Sequence, residues 1–366
     1  MTDHFLNKKL TQRASAGALR TLRLTSGQAD YFSNDYLGIS RHERIQEILA
    51  ENHLAPGSTG SRLLAGNYTA IEDTEWQIAR FHDAPAALIF NSGYDANVGL
   101  MACVAQRGDT ILYDKKSHAS IRDGIRLSFA DSFSFAHNDL DDLEKKLKQR
   151  KGNCFVVTES VFSMDGDMAP LTEIVSLCEK YEAHLVVDEA HATGVIGNLG
   201  EGLVQLLGLH TRCFARIHTF GKALACHGAV ILGSSLLRDY LINFCRPLIY
   251  STSLPPAAVA AIGASYLIFP DMHPERAALK TLIALFDQPG FSKSVTPIQC
   301  FIIRGNDRVK KIAQYLLNNN LDTRPILYPT VPLGEERLRI ALHSFNTIVE
   351  TNQLISILME TGNPRN

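Results

Sequence analysis

Leu185-Val186-Val187-Asp188-Glu189-Ala190-His191 sets a wholly apolar, largely β-branched run directly before an acidic pair. A short unbroken apolar run marks a strand buried on both faces, as in a parallel sheet. Asp188 then stands at the carboxyl end of that strand, the edge where open α/β sheets bind ligands. Similar runs recur on either side, and strands are expected at Ala87–Phe90, Thr110–Tyr113, Phe155–Thr158, Leu185–Val187, Arg216–Thr219 and Ala229–Leu232. Between two of them Leu171, Ile174, Val175, Cys178 and Tyr181 recur at three- and four-residue steps, as on an amphipathic helix packed on a sheet. From about Ala86 to Leu232 the chain therefore reads as parallel strands joined by crossover helices, an α/β core.

The chain has 366 residues, 45% of them hydrophobic, too much for one small domain. A polar, glycine-rich stretch, Pro56-Gly57-Ser58-Thr59-Gly60-Ser61-Arg62, suits a turn near a ligand or partner, and after Pro255-Pro256 the pattern changes to helices with a few strands. The expected division is an N-terminal segment 1–45, a large domain 46–255 and a smaller α+β C-terminal domain 256–366. A formal charge of -2 gives no global case for nucleic acid or an anionic membrane. Seven scattered cysteines without a C-x-x-C pair favour free thiols in a reducing cytoplasm over disulfides or a zinc site. The longest apolar stretch, Ala257 to Phe269, is bracketed by prolines and falls short of the ~20 residues of a membrane span, so a buried helix is expected there.

The letters Asp188-Glu189-Ala190-His191 also occur in nucleic-acid helicases, but those need a G-x-x-x-x-G-K-[ST] phosphate loop. Before Gly221-Lys222-Ala223 this chain has Arg216 where the first glycine belongs, and Ala223 stands where the hydroxyl belongs. Gly197-Asn198-Leu199-Gly200-Glu201-Gly202 fails as a dinucleotide fingerprint and reads as turns. The second chemical candidate is His218-Thr219-Phe220-Gly221-Lys222-Ala223-Leu224, again at a strand end. A lone lysine there is a surface residue. A carboxylate at one strand end, a lysine at a later one and histidines between them form the set that pyridoxal phosphate requires, with the lysine carrying the cofactor and the aspartate pairing with its ring nitrogen.

In this order the motifs resemble the α-oxoamine synthases, pyridoxal-phosphate enzymes of fold type I that condense an amino acid with an acyl thioester. The resemblance runs from Tyr31 to Phe345 through Ser33-Asn34-Asp35-Tyr36-Leu37-Gly38, the glycine-rich segment Gly57 to Asn67, Asn91-Ser92-Gly93-Tyr94 and Ser117-His118-Ala119-Ser120. It continues through Thr158-Glu159-Ser160-Val161-Phe162-Ser163-Met164-Asp165-Gly166-Asp167, the Asp188 and Lys222 motifs and Tyr250-Ser251-Thr252-Ser253. It implies Lys222 as cofactor carrier and base, Asp188 on the pyridinium nitrogen, His191 near the phenolic oxygen, His118 on the ring face and Ser163 against the cofactor. Gly93, Tyr94 and Thr219 would receive the phosphate, the first two at a helix N-terminus. Thr252 resembles the residue that a partner subunit contributes to a site shared across a homodimer.

The resemblance also implies that Arg339, in Arg337-Leu338-Arg339, grips the amino-acid carboxylate by a bidentate fork. Arg337 is expected to face away from it as a surface charge. Asn34, Arg20 and Thr330 match substrate positions. Within the family, Arg324 to Pro332 followed by Ile340 to Asn346 looks most like the biotin-pathway branch, which joins L-alanine to a pimeloyl thioester with loss of CO₂, the thioester carried by coenzyme A or an acyl carrier protein. A glycine-using ligase of the same family is the alternative. An aminotransferase and a non-catalytic scaffold subunit are the rivals outside it.

Overall fold

The computed structural model describes residues 3–24, 27–51 and 54–361. The outermost residues of the expected terminal segments, 1–2 and 362–366, lie outside these. Among the described residues the strands are β1 (Ala29–Asp30), β2 (Ala86–Phe90), β3 (Thr110–Asp114), β4 (Asp131–Phe135), β5 (Cys154–Glu159), β6 (His184–Asp188), β7 (Ala215–Thr219), β8 (Ala229–Gly233), β9 (Ile298–Ile302), β10 (Leu321–Asp322), β11 (Arg324–Ile326) and β12 (Arg337–Ala341).

The chain divides into two compact units, Leu37–Ser163 with Met168–Arg276, and Met1–Tyr36 with Met164–Asp167 and Ala277–Asn366. Compactness thus falls elsewhere than at the expected breaks after residues 45 and 255. The apolar helix Pro256–Ile268 belongs to the larger unit, to which both its backbone and a side chain bond: Gln77 Nε2 donates to the Gly263 carbonyl at 3.2 Å, and Tyr266 Oη lies 3.0 Å from His82 Nε2. No helix among the described residues is long and apolar enough to cross a membrane.

The larger unit is built on a seven-stranded sheet of order β2-β8-β7-β6-β5-β3-β4. Strands β4, β3, β5, β6 and β7 run parallel, and all six expected strands are present. One orientation differs from expectation, since β8 is antiparallel to both β7 and β2. The reason is loop length: residues 220–228 join β7 to β8, fewer than the dozen or so that a parallel crossover needs. Strand β5 is buried along its whole length, which is why its sequence does not alternate; β7 is buried throughout as well, although Arg216 and His218 make its sequence alternate. Leu88, Leu100, Ile121, Val157, Val186, Ile217 and Ile231 belong to one core that holds the sheet against its helices. Each such side chain contributes about 1.5–3 kcal/mol when fully buried. Helices Gly93–Val104 and Ala119–Leu127 approach closely at Gly124, where a Cβ would meet the Asn97 carbonyl at 2.9 Å.

The smaller unit contains a three-stranded antiparallel sheet, β11-β12-β9, and the parallel pair β1-β10. His343 ties its early and late segments together: Nε2 lies 3.0 Å from Ser33 Oγ, and its amide donates to Asn346 Oδ1 at 2.8 Å. Asn346 Nδ2 in turn donates to the Asp30 carbonyl at 2.9 Å.

Candidate active site

Parallel strands carry their carboxyl ends to one edge of the sheet, and in the larger unit that edge is polar. Asp114, Glu159, Asp188 and Thr219 are the last residues of β3, β5, β6 and β7. Glu159 pairs in register with Asp188, and both are buried. Asp188 Oδ2 accepts from Asn97 Nδ2 at 2.8 Å, and Oδ1 accepts from the Ala190 amide at 2.9 Å. Glu159 Oε1 accepts from the His118 amide at 2.6 Å. Burial first, and then the charge of Asp188, push Glu159 up to about 8. Two adjacent buried carboxyls cannot both ionise cheaply. Below that pH, Glu159 is the neutral acid.

His118 caps the helix Ala119–Leu127. The residue is exposed by area, yet its Nδ1 edge is bonded inward to Ser120. Desolvation holds its pKa below the ordinary value, Asp188 opposes this, and the Lys222 ammonium reinforces it. His118, Asp188 and Lys222 are therefore electrostatic neighbours although distant in sequence. Lys222 is half-buried in the β7–β8 connection, where its carbonyl accepts from the Ala225 amide at 2.8 Å. Phe220, Ala223 and Leu224 around it are fully buried, so the loop is anchored on both sides of the lysine.

Thr219 is buried, and its Oγ1 has no hydrogen-bond partner among the described residues. Gly93, the first residue of the helix Gly93–Val104, packs on the same threonine: a Cβ there would lie 2.4 Å from Thr219 Cγ2. Ser92 caps this helix by accepting from the Asp95 amide at 3.0 Å. A free hydroxyl beside a capped helix N-terminus is an anion cradle, since the first-turn N–H groups and the helix dipole both favour negative charge. Tyr94 is exposed and donates to Asp123. His191 is buried three residues past Asp188, and Ser163 is half-buried. Thr252 is exposed, and its carbonyl accepts from Asn91 Nδ2 at 2.7 Å.

The smaller unit gathers the other expected positions. On β12, Arg339 Nη2 donates to Asn34 Oδ1 at 3.0 Å and reaches Tyr36 Oη at 3.5 Å. The fully buried Tyr36 donates to the same Asn34 oxygen at 3.1 Å. Arg20 Nη2 donates to Thr330 Oγ1 at 3.1 Å, so two exposed positions far apart in sequence meet. Arg337 corrects the sequence reading, because it is buried and paired with Asp165 and, at 3.2 Å, with Glu335. Alternate residues of a strand share a face, so Arg337 lies on the same face as Arg339 and cannot turn away from it.

Sequence reading missed roles for Asn97 and Glu159. Glu159 carries the signal that exposed Asp188, an acid at the end of an apolar strand; Asn97 lies inside a helix and carries none.

The profile of the family described as aminotransferase class I and II matches residues 28–356. An 8-amino-7-oxononanoate synthase from Emericella nidulans is 41% identical, over 92% of this chain and 89% of that protein. The chain belongs to the aminotransferase class I and II family, in its α-oxoamine synthase branch. Members of that branch share its three-dimensional structure. The 8-amino-7-oxononanoate synthase of Francisella tularensis has a TM-score of 0.80 at 28% identity, covering 91% of this chain and 97% of that one. Serine palmitoyltransferase from S. paucimobilis, solved with a bound PLP–myriocin aldimine, has a TM-score of 0.87 at 25% identity, covering 98% and 96%.

Proposed function

We propose that this chain is a pyridoxal-phosphate-dependent acyltransferase that condenses L-alanine with a pimeloyl thioester, releasing CO₂ and thiol to give 8-amino-7-oxononanoate for biotin synthesis. The observation that carries the proposal is the polar edge of strand ends, which holds Asp188, Glu159 and Thr219, with Asp188 and Lys222 both acting on His118. Near-full-length likeness to 8-amino-7-oxononanoate synthases supports the choice of reaction.

These residues fit pyridoxal phosphate. The Thr219 hydroxyl, without a hydrogen-bond partner among the described residues, and the N-terminus at Gly93 and Tyr94 suit its phosphate, the Asp188 carboxyl group its ring nitrogen, and His118 and His191 its face and phenolic oxygen. Ser163 is assigned to the same cofactor. When bound, the group supplies an electron sink for the pair left at the amino-acid Cα.

Arg339 holds the alanine carboxylate through its guanidinium fork, with Asn34 fixing the guanidinium from behind. Lys222 Nζ would hold the cofactor at rest and, when its amine is free, would serve as the base for the alanine Cα proton. The Cα electron pair would attack the thioester carbonyl with departure of the thiol, and the β-keto acid would lose CO₂ and take up a proton at Cα in its place, for which Lys222 is the assigned donor. Arg20 and Thr330, already bonded to each other, are assigned to the acyl chain. Thr252 is assigned to the phosphate of a partner subunit in a homodimer, a role its exposed side chain leaves open to it. Seven free thiols support a cytoplasmic setting.

Purified holoprotein offered glycine, L-alanine and L-serine against acetyl, succinyl, pimeloyl and palmitoyl thioesters, on coenzyme A and on acyl carrier protein, tests this by CO₂ and thiol release. Alanine with pimeloyl thioester is expected to lead. Preference for glycine with acetyl thioester would redirect the assignment to the ligase branch, where the discrimination rests on one methyl group worth about 1–3 kcal/mol.

A further inference from the structure

The hydrogen bonds behind His118 run in one direction, and that direction fixes which ring nitrogen carries the proton. His118 Nδ1 lies 2.7 Å from Ser120 Oγ and 3.3 Å from the Ser120 amide nitrogen. An amide N–H only donates, so Nδ1 is an acceptor and carries no proton. A neutral imidazole with a bare Nδ1 holds its proton on Nε2. The single Ser120 hydroxyl proton then points at Nδ1, which leaves Oγ to accept from Asn97 Nδ2 at 3.1 Å. The second proton of that Asn97 amide goes to Asp188 Oδ2 at 2.8 Å. The amide cannot be turned round, because its oxygen would face the Asp188 carboxylate, acceptor against acceptor. Asn97 and Ser120 are only 3% and 1% exposed, so water does not compete for these bonds.

We propose that Asn97 and Ser120 are positioning residues for the transferase reaction: together they hold His118 as a neutral Nε2–H donor and couple it to the Asp188 carboxylate. His118 then meets cofactor and substrate oxygens as a hydrogen-bond donor rather than as a base. This rests on the proposed placing of His118 and Asp188 against the cofactor. The charged and titratable groups facing His118 are Asp188, Lys222 and Asp123, with Glu159 on its backbone. A purely structural alternative exists, in which Ser120 does no more than complete the helix cap at His118.

The test uses holoenzyme labelled with ¹⁵N-histidine, the His118 resonances being identified by their loss in His118→Asn. An unprotonated Nδ1 and a protonated Nε2 are expected in the wild type. Ser120→Ala keeps the amide donor to Nδ1 but breaks the link through Asn97 to Asp188, so it should shift the His118 resonances and the pH–rate profile and lower kcat about tenfold, with the KM for L-alanine within about twofold, and Ser120→Thr should restore all of these. Asn97→Ala should give a similar kcat loss and also shift the absorbance of bound pyridoxal phosphate, because Asp188 loses a donor. A protonated Nδ1 in the wild type overturns the proposal. So does a Ser120→Ala enzyme with reduced thermal stability but unchanged His118 resonances and pH–rate profile, which is the outcome of a cap alone. A wild type inactive towards alanine and pimeloyl thioester would instead refute the proposed reaction, while the resonances of the same sample still report the tautomer.

Discussion

The two sheets deliver side chains in different ways. In the seven-stranded sheet β5, β6 and β7 each contribute the residue at their carboxyl end: Glu159 and Asp188 stand side by side in register, and Thr219 lies two residues past Ile217, the register partner of Asp188. In the three-stranded sheet one strand, β12, contributes two arginines from a single face, Arg337 and Arg339. Strand ends bring together residues remote in sequence, and the sheet register sets their spacing. A strand face brings neighbours together and leaves their surroundings to separate them: Arg337 meets the carboxylates of Asp165 and Glu335, whereas Arg339 bonds the amide oxygen of Asn34. The first arrangement suits a rigid cofactor platform, and the second lets adjacent positions take structural and binding duties.

Substitutions at the strand-end edge should cost chemistry, and the largest loss is expected at Lys222. Lys222→Ala should lower kcat by about 10³-fold or more and abolish the visible absorbance of bound pyridoxal phosphate, since it removes both the attachment point and the base. Asp188→Asn keeps the shape but removes the charge, and kcat should fall on the order of 10²-fold with the fold intact by circular dichroism.

On β12 the two arginines should separate by assay. Arg337→Leu removes a buried guanidinium from the partly buried carboxylate of Asp165 and should cost about 1.5–3 kcal/mol in denaturant unfolding. Arg339→Leu should raise the KM for L-alanine roughly 30-fold at little cost in stability, as loss of a charge-assisted fork implies. Equal effects of the two on KM would erase the contrast.

Glu159→Gln has the smallest expected effect on rate, because the amide mimics the neutral acid. Its effect lies in pH dependence. The Glu159 carboxyl is raised from 4.5 to about 8 in the folded protein. Its contribution to stability is therefore complete below about 4.5 and is lost as pH rises towards about 8, where the unfolded chain has released a proton that the folded one still holds. Glu189, pushed up to about 7 chiefly by burial, adds a slope of the same sign. Thermal unfolding of the apoprotein across that window should show a shallower decline in Glu159→Gln, and an unchanged slope would mean that Glu159 is ionised in the folded state.

How much of this was legible in the sequence follows from where each signal lies. Most of the six core strands announce themselves because strands buried on both faces have short apolar runs, and Asp188 stands out as the residue where one such run stops; β7, with Arg216 and His218, is the exception. Strand β4 escaped because its residues, Asp131-Ser132-Phe133-Ser134-Phe135, are mostly exposed and carry no such run. The reversed direction of β8 was implicit in the short 220–228 connection rather than in the strand itself. The burial of Arg337 has no local trace, because its partner Asp165 is 172 residues away. Asn97 shows its role only when the sheet has brought Asp188 to its helix.

The measurement closest to the central claim is to load the protein with pyridoxal phosphate, fix the attachment with borohydride, and map the modified peptide by mass spectrometry. A single adduct on Lys222, lost in Lys222→Ala, is the result expected. An adduct on any other lysine, or none, would contradict the placing of the cofactor at the strand ends of the seven-stranded sheet.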